Sequence, residues 1–245
     1  METWLIAVVT VLGLLFVVSN VVAVWAGTPN AEQTKRAVPW LQRSTSAQLA
    51  IIAWVVWGFA ALNTPVMPYA LWIAIGMTVS FVADLIMAEI IRVGNRVIGG
   101  MVAFAIAHLC YVYAFATGLS LFAPRIVEPG NLILSGSLIG MLAVGFVVWG
   151  RLVFNPDKPR VLNYGALGYT LVISVMVGFG LSLAIGNAGL WMAGAGAVLF
   201  MVSDVLLGNQ IFRDARWRWV SEWVWGLYIS GQALIVGSVV AGVVI

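Results

Sequence analysis

Long apolar runs are the feature that most constrains this chain. Several of them exceed the length of about 18 residues that marks a membrane-spanning helix. Of the 245 residues, 62% are apolar and 9% are charged, whereas a soluble domain carries about 25% charged residues. A β-barrel is excluded because its strands read as alternating segments of about ten residues, and these runs are continuous. The sequence therefore predicts an all-α polytopic membrane protein with a single transmembrane domain over residues 1–245.

Eight spans are predicted from these runs. Their bounds are about 4–26, 47–62, 67–89, 97–119, 132–150, 161–185, 190–208 and 223–244. The second span is the shortest, and residues 63–66 and 186–189 leave connections so short that the spans on either side must be antiparallel neighbours. The first run lacks the basic segment of a signal peptide, so we expect it to be retained as a span.

Almost all of the basic residues fall on one side of the predicted membrane. Eleven of the 12 Lys and Arg residues fall in the connections after spans 1, 3, 5 and 7, and Arg125 alone falls on the other side. By the positive-inside rule these four connections face the cytoplasm of a cell-membrane protein, and both termini are non-cytoplasmic. The eleven are Lys35, Arg36, Arg43, Arg92, Arg96, Arg151, Lys158, Arg160, Arg213, Arg216 and Arg218. They form no continuous patch, so we expect a lipid bilayer and no nucleic acid as partner.

The two halves of the chain suggest a 4+4 internal repeat. A shift of 120 residues aligns Asp84 with Asp204 and His108 with Tyr228, and 24 residues separate the two members in each half. Because each half holds four spans, such a repeat is expected to be parallel. The alternative is that any two helices joined by a loop of similar length give this spacing.

Three ionisable residues lie well inside the spans: Asp84, His108 and Asp204. A charged group at mid-membrane costs about 2.5–3.5 kcal/mol on insertion scales, so each of them needs a partner or a polar cavity. Without a buried Lys or Arg to neutralise the two acids, we expect one of them to be protonated at neutral pH. These residues are the first candidates for a functional site.

Each candidate also has a purely structural interpretation. A lone membrane histidine is often a hydrogen-bond donor between helices, and tyrosines such as Tyr111 and Tyr113 often pack or lie at the membrane interface. The glycines at 136 and 140 and at 194 and 196 are expected to allow close helix approach. A metal site built from the two aspartates and His108 is disfavoured, since a hydrolytic zinc centre needs more than one His and Cys110 is the single cysteine.

Five stretches resemble the YhhN-like lysoplasmalogenase family of integral membrane proteins. They run from span 3 to span 8, over about two thirds of the chain. The matching stretches are residues 81–87 (FVADLIM), 99–111 (GGMVAFAIAHLCY) with Phe115, 169–176 (YTLVISVM), 196–204 (GAVLFMVSD), and Tyr228 with Gln232.

The resemblance implies an eight-span hydrolase that acts on a lysophospholipid and needs no cofactor. Such an enzyme cleaves the vinyl ether bond of lysoplasmalogen to a fatty aldehyde and glycerophospho-ethanolamine or -choline. Protonation of the outer alkene carbon gives an oxocarbenium ion, which calls for a neutral acid, a carboxylate and a base for water. Asp84 and Asp204 are expected to act jointly as acid and cation stabiliser, as paired carboxylates do in glycosidases, and His108 to orient one aspartate or accept a proton.

Further residues are expected to bind the substrate. The hydrogen-bonding set for the glycerol or the water is Tyr111, Tyr169, Ser203, Tyr228 and Gln232, and the candidate phosphate ligands are Arg92, Arg96 and Arg213. Membrane topology alone already accounts for these arginines. The alternative function is a proton-coupled transporter or flippase in which Asp84 and Asp204 relay protons.

Overall fold

The described residues form a bundle of eight long helices. The computed structural model describes residues 3–35 and 38–245, and no strand occurs among them. The helices are α1 (Thr3–Trp25), α2 (Pro39–Val56), α3 (Met67–Met87), α4 (Arg96–Phe122), α5 (Leu132–Val148), α6 (Arg160–Gly186), α7 (Trp191–Arg213) and α8 (Val220–Val244). A π-helical turn extends α2 over Trp57–Ala61 and α5 over Trp149–Val153, and short 3₁₀ turns cover Pro124–Val127 and Ala188–Leu190. All eight helices are long and apolar enough to cross a membrane, which confirms the predicted all-α multi-pass architecture.

Six of the helices form a closed ring. In order around the ring α2, α3, α4, α6, α7 and α8 each contact the next, and α8 contacts α2 again. Helix α1 packs on α2 from outside, and α5 packs on α6. The ring is filled by fully buried side chains, of which Tyr69, Tyr111, Phe115, Phe200 and Met176 are among the largest. The predicted internal repeat is not confirmed by the structure and stays a prediction.

Helix α2 begins at Pro39, eight residues before the predicted start of span 2. Its first turns contain polar residues that read as a loop in the sequence, but Gln42, Thr45 and Ser46 are buried among the helices. The Thr45 hydroxyl donates to the backbone carbonyl of Gln42 at 2.7 Å, and a proline in the first helical turn loses no intrahelical hydrogen bond. The polar start of α2 therefore lies inside the bundle.

Helix α7 continues to Arg213, five residues past its predicted end. The extension is polar, and its side chains cap the backbone that follows α5. Asn209 donates to the carbonyl of Leu152 at 2.7 Å, and Arg213 donates to the carbonyl of Phe154 at 2.7 Å and 3.1 Å. Contacts of these α7 side chains with the backbone after α5 thus extend the helix beyond the end that its hydropathy predicts.

The connections after α1, α5 and α7 meet at one end of the bundle. Arg216 pairs with Glu32 at 2.7 Å, the Trp219 amide donates to the carbonyl of Gln33, and Lys158 pairs with Asp214 at 3.8 Å. The α3–α4 connection lies at the same end because successive helices are antiparallel. Eleven basic residues are predicted to share one side, and the ten of them that the structure describes lie at this end. We therefore call it the basic end. The eleventh, Arg36, lies outside the described residues.

Glycines bring α7 and α8 into close contact. A Cβ atom on Gly196 would lie 2.7 Å from the carbonyl oxygen of Gly231, and one on Gly231 would lie 2.8 Å from the carbonyl oxygen of Gly196. A Cβ on Gly194 would meet Ala184 at 2.9 Å. Close approach is therefore confirmed for Gly194 and Gly196. The prediction of close approach is wrong for Gly136 and Gly140. A Cβ at either position would meet nothing within 4 Å, because that face of α5 points away from the bundle.

Candidate active site

Asp84 is held by hydroxyl groups from two other helices. Its Oδ2 accepts a hydrogen bond of 2.5 Å from Ser46 on α2 and one of 2.8 Å from Tyr228 on α8. Two hydroxyl donors to one carboxylate oxygen compensate for part of the hydration that the group loses among the helices. Among the described residues the acid therefore has hydroxyl groups, and no cation, as its hydrogen-bond and ion-pair partners.

Asp204 is held by a chain of three side chains. Tyr169 on α6 donates its hydroxyl proton to Oδ2 of Asp204. Nε2 of His108 on α4 lies 2.9 Å from the Tyr169 hydroxyl oxygen and 3.5 Å from Oδ2 of Asp204. This order places His108, Tyr169 and Asp204 in one hydrogen-bonded unit that joins α4, α6 and α7.

The hydrogen bonds define the tautomer of His108. The Tyr169 hydroxyl has one proton, which it donates to Asp204, so its oxygen accepts from a proton on Nε2 of the histidine. Nδ1 of the fully buried ring has no hydrogen-bond partner within the described part of the chain. The ring packs edge to face against Phe200 with a centroid distance of 4.7 Å. With its proton on Nε2 the imidazole ring has no unsatisfied donor, and Nδ1 is an acceptor.

A polar cleft contains both aspartates and opens at the basic end. It encloses about 940 Å³ of empty space, the open mouth included. Its deep part holds Asp84, Asp204 and Tyr228, which come from α3, α7 and α8. The residues nearer the mouth are Lys35, Pro39, Gln42, Arg43, Gln210 and Ser221. The aspartates predicted from the sequence therefore lie in one cleft.

An apolar pocket adjoins the polar cleft. It has about 640 Å³ of empty space, the open side included, between α3, α4, α6 and α7, and its walls are almost entirely apolar. Its lining includes Met101, Ile173, Met201, Ile211 and Phe212. Asp204 lines both cavities, together with Met87, Phe104 and Leu207. An elongated apolar group and a polar group joined to it can thus meet at Asp204.

The predicted hydrogen-bonding residues divide into two groups. Tyr169 and Tyr228 contact the aspartates directly, and Ser203 lines the polar cleft while its hydroxyl donates to the carbonyl of Val224 at 2.8 Å. Tyr111 and Gln232 form a separate buried pair, with the tyrosine hydroxyl donating to Oε1 at 2.7 Å. Neither of these two lines the cleft or the pocket as the described residues form them.

The three predicted phosphate ligands lie away from the aspartates. Arg92 and Arg96 border a separate surface depression beside the α3–α4 connection, and Arg96 pairs with Glu89 at 3.6 Å. Arg213 binds the carbonyl of Phe154. The structure therefore does not bring these arginines to the cleft, because Arg96 and Arg213 bind groups in neighbouring connections and Arg92 borders the separate depression.

The sequence did not predict the cleft residues that come from the first turns of α2 and from the segment before it. Ser46 contacts Asp84, and Lys35 and Arg43 line the cleft. The sequence offered one signal: the polar run from Gln42 to Ser46 directly precedes an apolar run without an intervening turn residue. Read at helical spacing, Gln42, Arg43 and Ser46 share a face.

These features define a class of protein: a multi-pass helical membrane protein with two acids in a cleft that opens at one end. Among residues 3–35 and 38–245, no group of three or more His, Cys, Asp or Glu is arranged to hold a metal ion. Residues 38–239 match the YhhN family, and the chain belongs to that family. The family is lysoplasmalogenase-like, which confirms the resemblance expected from the sequence. Searches of curated proteins and of solved structures gave no match.

Proposed function

We propose that the protein hydrolyses the vinyl ether bond of lysoplasmalogen and releases a fatty aldehyde and glycerophospho-ethanolamine or -choline. The observation that carries the proposal is the junction at Asp204, where a polar cleft holding two carboxylates meets an apolar pocket. A lysophospholipid has the same division into a polar head group and one apolar chain. Family membership supports this substrate class.

The two cavities give the substrate an orientation. The alkenyl chain occupies the apolar pocket, and the glycerophospho group occupies the polar cleft. The vinyl ether links these two parts, so it lies at their junction beside Asp204. Asp84 lies on the head-group side, where water enters from the basic end.

In the first step one acid of the pair, which we assign as Asp204 because it lies where the two cavities meet, transfers a proton to the outer alkene carbon. The carbon that bears the ether oxygen becomes an oxocarbenium centre, which the two carboxylates stabilise. The Tyr169 hydroxyl, already bonded to Oδ2, stabilises the carboxylate that forms on Asp204. His108 donates to Tyr169 and acts through it as a positioning residue.

Water then adds to the oxocarbenium carbon and gives up a proton to a carboxylate of the pair. The resulting hemiacetal collapses: its hydroxyl proton leaves, the bond to the glycerol oxygen breaks, and that oxygen takes up a proton. One water is consumed, and an aldehyde and a glycerol hydroxyl are formed. Glycosidases handle a comparable oxocarbenium ion with two carboxylates.

The cleft opens at one end of the bundle in this structure. A carrier would have to open in turn to each end. Between the aspartates and the end opposite the basic end, Tyr69, Tyr111, Phe115 and Leu119 are fully buried and fill the ring. This supports a site that exchanges substrate and product through one mouth.

For the membrane orientation, we propose that the basic end faces the cytoplasm of a cell membrane and that both termini lie on the other side. The mouth of the cleft then opens toward the cytoplasmic leaflet. Cysteine labelling with a membrane-impermeant reagent at Trp4 and at Asp157 tests this, since only the variant at Trp4 is expected to react from outside intact cells.

Purified protein tests the activity. In detergent micelles it is expected to release aldehyde from lysoplasmalogen and no fatty acid from the matching acyl lysolipid. Release of fatty acid instead would contradict vinyl ether specificity. In proteoliposomes, solute movement driven by a pH gradient without lipid turnover would support the carrier in its place.

A further inference from the structure

Two basic residues of the described chain differ from all the others. Eight of the eleven are exposed, and three are half-buried: Lys35, Arg43 and Lys158. Lys158 has an acidic partner in Asp214. Within the part of the chain that the structure describes, neither Lys35 nor Arg43 forms an ion pair, and both line the polar cleft. Membrane topology explains basic residues on the surface, but it does not require cations inside a cleft.

Arg43 lies on the face of α2 that also carries Ser46, the residue that donates to Asp84. It precedes Ser46 by three residues, so it lies about 4.5 Å along α2 toward the basic end. Residues three apart share a helix face, and the Ser46 hydroxyl donates to Asp84 at 2.5 Å. The guanidinium therefore belongs to the mouth of the cleft, outward of the aspartate.

Among the residues that the structure describes, neither cation forms an ion pair with Asp84 or Asp204. Asp84 is bonded to the hydroxyls of Ser46 and Tyr228, and Asp204 to the hydroxyl of Tyr169. The mouth adds neutral groups able to donate hydrogen bonds, from Gln42, Gln210 and Ser221. Half-buried cations with such neighbours have the charge and the donors that an anion from outside the chain needs.

We propose that Lys35 and Arg43 bind the phosphate of the substrate head group. Arginine presents a planar fork that matches phosphate oxygens, and lysine adds a point charge. Three glycerol carbons separate that phosphate from the vinyl ether, so anchoring it at the mouth aligns the ether with the deeper aspartates. The inference rests on the proposed function and names the contact that selects phospholipids over neutral ether lipids.

Binding is measured first, with a substrate analogue that cannot react. The analogue is a saturated 1-O-alkyl lysophosphatidylethanolamine, titrated calorimetrically into the full-length protein in detergent. Lys35→Gln and Arg43→Gln are each expected to weaken its binding about tenfold, the effect of one charge-assisted contact. The matched control is Arg160→Gln, which removes an exposed cation at the same end of the bundle and is expected to bind as the wild type does.

Turnover then separates phosphate binding from a general loss of structure. With lysoplasmalogen, the Lys35 and Arg43 variants are expected to show a raised KM and a nearly unchanged kcat. With 1-O-alkenylglycerol, which has the vinyl ether and no phosphate, they are expected to match the wild type. Equal losses on both lipids, or unchanged binding of the alkyl analogue, would overturn the assignment.

Two further outcomes distinguish this inference from the proposed function. If the wild type releases no aldehyde but binds the alkyl lysolipid through Arg43, the vinyl ether activity fails and the phosphate site stands. If inorganic phosphate alone binds as tightly as the alkyl lysolipid, the site takes free phosphate and the lipid head-group assignment is overturned.

Discussion

The hydroxyl of Ser46 donates a 2.5 Å hydrogen bond to Oδ2 of Asp84 and so joins the first turns of α2 to the end of α3. Tyr228 reaches the same oxygen from α8. One carboxylate oxygen thus connects three helices of the ring. Since α2 would otherwise begin with exposed polar turns, the position of its N-terminal half and the environment of Asp84 depend on each other.

Replacement of Ser46 by Ala is expected to lower aldehyde release about tenfold, because one hydrogen bond to a charged group contributes roughly 1.5–3 kcal/mol. The rate is measured by coupled aldehyde reduction, and folding is checked by size-exclusion chromatography. Ser44→Ala is the matched control, since within the described chain the Ser44 hydroxyl donates to the Leu41 carbonyl of its own helix and contacts neither aspartate. An active Ser46→Ala variant would show that this bond does not position Asp84.

Asp84→Asn and Asp204→Asn are each expected to reduce turnover by about 10²- to 10⁴-fold, the range that general acid–base groups contribute. Asparagine keeps the shape of the side chain and can neither give nor accept the proton. Asp157→Asn, an exposed acid at the same end of the bundle, is the control and is expected to stay active. Full activity of either cleft variant, in protein that inserts normally, would rule out the proposed mechanism.

Tyr169→Phe and His108→Gln are expected to act as one unit. Each is expected to lower kcat about tenfold, because His108 reaches Asp204 through the tyrosine hydroxyl. In the Tyr169→Phe background the histidine change is expected to cost less than in the wild type, because only the 3.5 Å approach of Nε2 to Oδ2 of Asp204 remains, and a double-mutant cycle measures this. Additive losses would instead assign His108 an independent role. Tyr164→Phe removes an exposed hydroxyl from the same helix and serves as control.

The number of helices was predictable because the bilayer sets the length of apolar sequence that each spanning helix needs. Apolar length alone sets eight spans, since an unpaired backbone cannot cross lipid. The start of α2 was not predictable in the same way, because the run from Gln42 to Ser46 has the composition of a loop. Its helix is stabilised by contacts with distant residues such as Asp84, which hydropathy does not report.

The site was predictable at residues whose placement in a membrane span has a free-energy cost that calls for a partner or a function. Asp84, His108 and Asp204 stood out because ionisable groups in a span need partners. Which cations face the cleft was not predictable, since Lys35, Arg43, Arg92 and Arg96 satisfy the positive-inside rule equally well. Only the folded connections show that the first two line the cleft and the last two border another depression.

Close packing of α7 against α8 gives a prediction about stability. Gly196→Ala is expected to destabilise the bundle by about 1–3 kcal/mol, because its Cβ would lie 2.7 Å from the backbone oxygen of Gly231 and a helix must shift. The shift is expected to lower the unfolding temperature in detergent and, through the α7 backbone, to reduce activity. Gly140→Ala is the control: its Cβ meets nothing within 4 Å, and alanine favours a helix, so its unfolding temperature is expected to stay or rise slightly. Equal unfolding temperatures for Gly196→Ala and the wild type would mean that α7 and α8 tolerate a wider spacing than the one observed.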